Sequence, residues 1–500
     1  MKQFLSILCV LSFTLPTSAQ SISCKIGSVQ EIEDNSYFLG NIFHVDEEGM
    51  VYGSSYPKNK PKKDLRLYVE TFKKNNIYAG NIPVTSLDIN NSKLVGLPPT
   101  SESKLYRFSR LWGHYHAIIG KKEKKDYNFY SVKLNEDMEV ESKVKINSGK
   151  PSILTYVKPS LLSRTSPDMS ILVTASRVYH NKKGPWGYKV QKWENSYDNL
   201  AGEYPLEINK EFHIRSLIVN NAGELFVNLV IYEEDEDPYF SLARLTPEGP
   251  EFIDIQLDNN VKVSSPFLTI LENTDDIILR GFYQERKNPS NSGLYCARIA
   301  GKTGEVIYDV SSPFDTNKLN KKEIGLDPTK KFDFNRLRFM GRITKFDQYV
   351  TGDESHLYTF AYSKSASKVS GTTLHHYRHM ITFCTDLNTG EVIETHAIPL
   401  EINMGTEHRD ASSVIGVYPI PAGDKMFAIY NDDARMSGKS LKLKCAEFEN
   451  GRFIRSKDLA SFRTYGVFFL PRLFLKVSDT EYVIAGKKGD KIRLGKITIK

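Results

Sequence analysis

Beyond its N-terminus the sequence lacks an apolar run of membrane-spanning length, any long stretch with helical periodicity and any nucleic-acid recognition motif. The first absence argues against a transmembrane helix, and the second favours an all-β chain. The net charge of +7 is mild, and the lysines lie in short clusters such as 58–63 and 121–125, which are typical of solvated hairpin tips. We therefore expect no transmembrane segment and no nucleic-acid partner.

The N-terminal residues have the organisation of a secretory signal peptide. Lys2 precedes an apolar run from Phe4 to Leu15, and small residues then lead to Ala19. The apolar run is too short to span a bilayer as a helix. We predict a signal peptide over residues 1–19, cleaved after Ala19, and an exported chain that reaches the periplasm or the cell exterior.

The sequence is rich in two-residue periodicity with aromatic and β-branched side chains, which predicts β-strands. Examples are 65–72, 127–134, 224–232, 276–283 and 426–430. Proline, glycine, asparagine and aspartate interrupt these segments about every ten residues, as expected for turns between short strands.

A strand–turn–strand pattern recurs along the chain. YCARIAGKTGEVIYDV (295–310), FCTDLNTGEVIETH (383–396) and KCAEFENGRFIRSKDL (444–459) each place Gly or Asn at a turn, where a positive φ is required. A second pair of strands precedes several copies, for example at 212–232, so the repeating unit has four antiparallel strands. One such sheet cannot bury both faces, whereas copies arranged in a ring can, which predicts an all-β β-propeller.

We predict a single β-propeller domain over residues 20–500, with four-stranded antiparallel blades. Eight blades are predicted, and seven remain the alternative because the blade at 152–208 is poorly marked. The last segment, 466–500, has three strands, and an N-terminal strand from 24–33 would complete it and close the ring. The polar stretch 313–335 is predicted to be an inter-blade loop. The predicted complete blades are 36–86, 95–148, 152–208, 211–258, 262–312, 336–402 and 412–461.

The histidines are candidates for a metal site. His375 and His379 would share one face of a helix, but their segment is predicted to be the third strand of a blade. Four residues along a strand span roughly 13 Å, and His376 points to the other face, so the three cannot meet one zinc ion. His114 and His116 share a face of a predicted strand but lack a third ligand nearby. We predict no metal and no cofactor.

Three cysteines recur with the repeat. Cys296, Cys384 and Cys445 fall at corresponding positions on the third strands of different blades. Neighbouring blades pack about 10 Å apart, which is too far for a disulfide. We predict that these cysteines are small buried fillers.

The segment YNDDARMSG (430–438) ends a core strand with Asn431, Asp432 and Asp433. Such a strand end faces one rim of a propeller, so we predict ligand binding at these three residues and leave the catalytic residues unknown. The acidic run 233–237 lacks the spacing of a calcium loop and is predicted to be a hairpin tip. The groups of EHRD suit acid–base chemistry, but a short run does not position them around a substrate.

Longer stretches resemble a known group. ILRGFYQERKNPSNSGLYCARIAGKTGEVI, HMITFCTDLNTGEVIETHAIPL and KMFAIYNDD, with a signal peptide that ends in SAQ, resemble uncharacterised exported β-propeller-like proteins of Bacteroidota. The resemblance implies an exported propeller and transfers no activity and no site residue. Better known propeller families are not supported, because the S-x-D-x-G-x-T-W box, repeated Trp-Asp endings and docking tryptophans are missing.

Two classes of function are consistent with these observations. A binding or scaffolding module would present its rim to a protein, a peptide or an envelope glycan. The alternative is a glycan-active enzyme, a hydrolase or lyase, with a site assembled at the central channel. A repeated architecture in which no single cluster of catalytic residues stands out favours the binding module. We expect the protein to be a monomer.

Overall fold

The fold was analysed in a computed structural model. It describes residues 21–26, 30–31, 37–45, 51–57, 66–72, 85–90, 103–123, 126–135, 140–149, 161–179, 186–233, 239–255, 261–285, 292–314, 343–369, 372–405, 415–432, 441–462, 468–488 and 491–500.

All regular secondary structure in these ranges is β-strand, and they contain no helix long and apolar enough to cross a membrane. The strands are β1 (Ile22–Ile26), β2 (Gln30–Glu31), β3 (Tyr37–Val45), β4 (Val51–Pro57), β5 (Arg66–Phe72), β6 (Thr85–Asn90), β7 (Ser103–Leu111), β8 (His114–Glu123), β9 (Asp126–Leu134), β10 (Val140–Gly149), β11 (Leu161–Thr165), β12 (Ile171–Tyr179), β13 (Trp186–Glu194), β14 (Leu200–Ile208), β15 (Glu211–Val219), β16 (Leu225–Tyr232), β17 (Tyr239–Thr246), β18 (Gly249–Ile253), β19 (Val261–Ile270), β20 (Ile277–Glu285), β21 (Ser292–Ile299), β22 (Val306–Pro313), β23 (Ile343–Val350), β24 (His356–Val369), β25 (Thr372–Asp386), β26 (Val392–Gly405), β27 (Val417–Ala422), β28 (Lys425–Asp432), β29 (Leu441–Glu449), β30 (Arg452–Phe462), β31 (Phe468–Lys476), β32 (Glu481–Lys488) and β33 (Lys491–Ile499).

Among the described residues, seven sheets contain four antiparallel strands each, which pair in chain order, and the last sheet also includes the two-residue strand β2, which pairs with β33. We number them sheet 1 (β3–β6), sheet 2 (β7–β10), sheet 3 (β11–β14), sheet 4 (β15–β18), sheet 5 (β19–β22), sheet 6 (β23–β26) and sheet 7 (β27–β30). Sheet 8 contains β31, β32 and β33, and β1 is its fourth strand through the pairing of Ile22–Ile26 with Gly495–Ile499. The prediction of a β-propeller with four-stranded blades and an N-terminal closing strand is confirmed. The number of blades stays a prediction.

The first strands of the sheets lie nearest the centre. β11 lies beside β15, β15 beside β19, β23 beside β27 and β27 beside β31, while β31 also lies beside β3. The last sheet therefore meets the first, and the fourth strand of each sheet lies at the perimeter. Because strand direction alternates, the first-to-second and third-to-fourth turns share one end of the ring, which we call the turn rim. The second-to-third connections are at the opposite end, the loop rim.

Hydrogen bonds connect neighbouring first-to-second turns along the turn rim. This series fixes the turns of sheets 2 to 7 relative to one another, so a side chain on one of these turns is held by the next sheet. The bonds run from Trp112 Nε1 to the Ser170 carbonyl (3.2 Å), the Asp168 amide to Asn221 Oδ1 (3.1 Å), the Asn221 amide to Asp275 Oδ1 (2.9 Å), the Asn273 amide to Glu354 Oε1 (2.9 Å) and the Asp353 amide to the Gly423 carbonyl (3.1 Å).

The three recurring cysteines confirm the alignment of the repeats. Cys296, Cys384 and Cys445 lie on β21, β25 and β29, the third strands of sheets 5, 6 and 7, and all three are buried free thiols. Burial raises the pKa of Cys384 to about 12, so this thiol stays protonated near neutral pH. The prediction that these residues are buried fillers on corresponding strands is confirmed.

The glycines of the recurring hairpins are required for two reasons. Gly390 and Gly451 have φ angles of 78° and 79°, as the turn pattern predicts. A Cβ at Gly390 would also lie 2.5 Å from the Tyr308 ring, and one at Gly451 would lie 2.5 Å from Ile393. In both cases a fourth-strand side chain of one sheet covers the turn of the next sheet. The second constraint comes from the packing of sheets, not from the turn itself.

Replacement of Gly390 by alanine is expected to lower the free energy of unfolding by roughly 3 kcal/mol, because positive-φ strain and overpacking against Tyr308 add. The matched control is Gly423→Ala, since Gly423 has φ 61° but open space around its Cα. This control is expected to lose only about 1 kcal/mol. Urea denaturation of the two variants measures the difference, and equal losses would contradict the packing role of Gly390.

Candidate functional site

The predicted ligand residues lie at the loop-rim end of β28. Asn431 Nδ2 donates to the Phe469 carbonyl of sheet 8 at 2.7 Å. Asp432 lies 2.8 Å from Lys444 Nζ and accepts a 2.7 Å hydrogen bond from the Glu401 amide of sheet 6. Both side chains are buried, and these contacts connect sheet 7 to its two neighbours. Asp433 lies outside the described residues, and ligand binding by the three residues stays a prediction.

A corresponding contact occurs elsewhere in the ring. Asn228 Nδ2 of sheet 4 donates to the Pro266 carbonyl of sheet 5 at 3.4 Å. Pro266 lies within a register irregularity of the first strand in the following sheet, and Phe469 lies at the edge of one. A buried second-strand asparagine thus supports sheet packing at two places, which gives Asn431 a structural role.

The histidine-rich segment is a strand, as predicted, because it forms β25. His376 is hydrogen-bonded through Nε2 to Ser367 (2.7 Å) and through Nδ1 to Asn403 (2.6 Å). Within the part of the chain that the structure describes, no group of three His, Cys, Asp or Glu side chains is placed to hold a metal ion. The runs 234–237 and 407–410 and most of the predicted loop 313–335 lie outside the described residues.

A pocket of about 150 Å³ opens between sheets 2 and 3 on the turn rim, which we call the aromatic pocket. β8, β9 and β10 of sheet 2 form one wall, and the β13–β14 turn of sheet 3 forms the other. The side chains that line the pocket include Trp112, His114, His116, Ser131, Lys133 and Tyr197.

Trp112 belongs to the two-residue turn that joins β7 to β8. Leu111 pairs with His114, and Trp112 and Gly113 have φ angles of 52° and 77°, which is the pattern of a type I′ turn. The left-handed conformation costs tryptophan about 1–3 kcal/mol. The Nε1 bond to sheet 3 holds the indole in place, and its ring meets Tyr197 edge-on at 5.0 Å. The surrounding structure therefore holds a partly exposed aromatic side chain in a strained turn.

His116 lies at the base of the aromatic pocket. Its side chain is only 4% exposed, its Nδ1 is 3.3 Å from Ser131 Oγ, and its Nε2 has no hydrogen-bond partner among the described residues. Burial, aided by the charges of His114 and Lys133, lowers the pKa of His116 to about 4. The imidazole is therefore neutral at neutral pH, and its buried Nε2 is unsatisfied among the described residues.

The repeat shows that the fold does not require a histidine at this position. His116 pairs in register with Lys133 of β9. The corresponding pairs in sheets 4 and 5 are Phe226 with Arg244 and Ile278 with Arg298. Phe226 and Ile278 are fully buried apolar side chains, as a propeller core prefers. Sheet 2 has an imidazole where the other two sheets have a hydrocarbon side chain, and such departures from a local rule are expected at functional sites.

The charged groups around this position also differ between sheets. In sheets 4 and 5 the arginine forms an ion pair with the carboxylate of the residue two positions before the buried apolar residue. The pairs are Glu224 with Arg244 (2.9 Å) and Asp276 with Arg298 (2.7 Å). Sheet 2 has His114 at that place, and Lys133 instead pairs with Glu141 of β10 at 3.0 Å. We conclude that sheet 2 lacks this ion pair over its second strand, which helps to leave the aromatic pocket open.

Sequence reasoning found two of these residues and missed the others. His114 and His116 lie on one strand and line one pocket, as the prediction that they share a face requires. Trp112, Ser131 and Tyr197 were missed, because the turn, the neighbouring strand and the next sheet come together only in the folded ring. An alignment of the repeats could have identified His116 by its polarity at an apolar position.

Comparisons with known proteins add no activity. No protein-family model matches the chain, and no curated protein matches it. Among solved structures, the polysaccharide lyase Uly1 is 11% identical, with 79% of this chain and 89% of that chain covered and a TM-score of 0.37. The fold is a β-propeller.

Two further solved structures match at comparable TM-scores. The β-propeller domain of the Trilobed protease from Pyrococcus furiosus is 11% identical, with 85% of this chain and 98% of that chain covered and a TM-score of 0.37. The WD40 domain of SCAP from fission yeast is 9% identical, with coverages of 96% and 94% and a TM-score of 0.30. At these identities nothing about a ligand or a reaction follows for this propeller.

Proposed function

We propose that this propeller is an exported binding module that holds part of a protein, peptide or glycan ligand in the aromatic pocket. The observation that carries the proposal is the buried His116 Nε2, which has no partner among the described residues at a position where equivalent sheets bury hydrocarbon. A buried unsatisfied polar atom costs about 1–3 kcal/mol. A ligand hydrogen bond to this nitrogen offsets that cost. Export rests on the predicted signal peptide.

The surroundings of His116 suit binding. Trp112 supplies a rigid, partly exposed aromatic surface, and Tyr197 packs 4.8 Å from the imidazole. Aromatic walls with a few placed polar groups are typical of ligand pockets. The hydrogen bonds of the turn rim preorganise Trp112, so little conformational entropy is lost when a ligand binds.

Binding is tested by incubating the purified protein with arrays of glycans and peptides. The variant His116→Phe carries the residue that sheet 4 has at the corresponding position, so it fills the base of the pocket without disturbing the repeat. We expect it to lose binding that the parent protein shows. His213→Phe, on the loop rim of sheet 4, is the matched control and is expected to bind like the parent. Equal binding by all three proteins would place the ligand elsewhere.

One contact favours a second candidate function, catalysis at the same pocket. The neutral His116 imidazole lies 3.3 Å from the Ser131 hydroxyl and could act as a general base. Hydrolysis of aryl glycosides and aryl esters tests this possibility. If His116 is the general base, the His116→Gln variant should hydrolyse these substrates roughly 10²-fold or more slowly than the parent protein. A binding module should show no turnover in either form. An enzyme site at the central channel stays a separate prediction.

A further inference from the structure

We infer that the aromatic pocket takes the end of an uncharged glycan, an inference that rests on the proposed binding function. The polar groups of the pocket are mostly neutral and small. Besides Ser131, the lining includes Ser142, Asn195 and Ser196. Hydroxyl and amide groups can both donate and accept hydrogen bonds, which matches the hydroxyl groups of a sugar.

The charges of the pocket disfavour an anionic ligand. Lys133 is paired with Glu141 at 3.0 Å, so its positive charge is already compensated. The neutral state of His116 adds no cation near neutral pH, and Asp198 contributes an exposed carboxylate to the lining. A uronic acid would therefore find no uncompensated positive charge among these groups, and it would lose hydration without a matching ion pair.

A cationic ligand is the main competitor of a neutral sugar. Trp112 and Tyr197 meet at an interplanar angle of 74° and form an aromatic corner that could attract a quaternary ammonium group. The exposed carboxylate of Asp198 in the lining would add to that attraction, so the experiment below includes a cationic probe. A neutral pyranose uses more of the lining than a small cation does, since its C–H groups pack against the aromatic surface while its hydroxyl groups reach the polar side chains.

The pocket has a closed base. His116, Ser131 and Tyr197 are 4%, 2% and 5% exposed, whereas His114 and Asp198 near the opening are exposed. A ligand must therefore enter from the solvent side and stop against the imidazole. This shape suits the terminal residue of a chain and not an internal residue, which would need an exit on both sides.

Isothermal titration of the purified protein tests the inference with three probes: neutral oligosaccharides (cellobiose, maltose and diacetylchitobiose), oligogalacturonate and tetramethylammonium. We expect binding of at least one neutral oligosaccharide. Trp112→Ala should weaken it about tenfold, which corresponds to about 1.4 kcal/mol, since the ligand loses its main aromatic contact. Lys133→Met should change the affinity less than about threefold, because an uncharged ligand forms no ion pair with the Lys133 side chain.

Each other outcome overturns a distinct statement. Binding of oligogalacturonate that falls in Lys133→Met would show an anionic ligand, and binding of tetramethylammonium would show a cationic one. Binding of arrayed peptides alone, lost in His116→Phe, would refute the glycan inference and leave the proposed function intact. Absence of any ligand that responds to His116→Phe would refute both.

Discussion

A chain that lacks residues 1–26 is expected to be less stable than one that lacks only residues 1–20 by at least about 3 kcal/mol. The two differ by β1, the fourth strand of sheet 8. β1 pairs with β33 over five residues, and Ile22 is buried with Tyr418 and Ile497 in the core between sheets 7 and 8. Its removal deletes a buried aliphatic side chain and uncovers the edge of β33, which then can pair with other chains.

Urea denaturation, with size-exclusion chromatography to detect aggregation, measures this effect. Ile22→Ala in the chain that lacks residues 1–20 separates the lost side chain from the lost strand. We expect the stability of this variant to lie between those of the two truncated chains, with a loss of about 2–3 kcal/mol in the free energy of unfolding. Equal stability of the two truncated chains would show that the ring does not need its N-terminal strand.

The stability of the parent protein is expected to fall more steeply in acid than that of His116→Phe. The pKa of His116 is lowered to about 4 from an ordinary value near 6.5, so the unfolded chain binds this proton more tightly than the folded one. The contribution of His116 is therefore fully present above pH 6.5 and is lost as the pH falls towards 4. Over that window the free energies of unfolding of the two proteins should diverge by about 3 kcal/mol.

Urea titrations of both proteins between pH 7.5 and pH 4 test this expectation, because groups shared by the two chains cancel in the difference. His213→Phe is the control. Burial and the nearby Arg177 also lower the pKa of His213, but its side chain is 44% exposed, so the divergence should be smaller. Parallel pH profiles for the parent and His116→Phe would mean that the imidazole is solvated in the folded state, and the buried site would be refuted.

Features that depend on short stretches of chain were predictable from the sequence. The turn glycines Gly390 and Gly451 have the positive φ angles that their hairpin pattern requires, and the four-strand unit follows from the spacing of such hairpins. The segment 152–208 was marked poorly because its turns follow other patterns, such as Ser166–Ser170. Sheet 3 nevertheless forms there, because its side chains pack against the neighbouring sheet in a shared core and this packing stabilises the strands.

Features that depend on two sheets were not predictable in the same way. The ligand residues predicted at the end of β28 include Asn431 and Asp432, whose described contacts reach sheets 8 and 6. The aromatic pocket depends on Trp112 of sheet 2 and Tyr197 of sheet 3, which no sequence pattern connects.

The sequence by itself determined the alternation of strands, the hairpin turns, the recurrence of the blade and the N-terminal strand that completes the last sheet. These properties follow from side-chain periodicity and backbone preferences within about a dozen residues. Only the tertiary structure decided which polar groups are satisfied between sheets, why Gly390 also needs space beneath Tyr308, and where a pocket stays open. The physical reason is that burial and hydrogen bonding between sheets depend on which side chains the closed ring brings face to face.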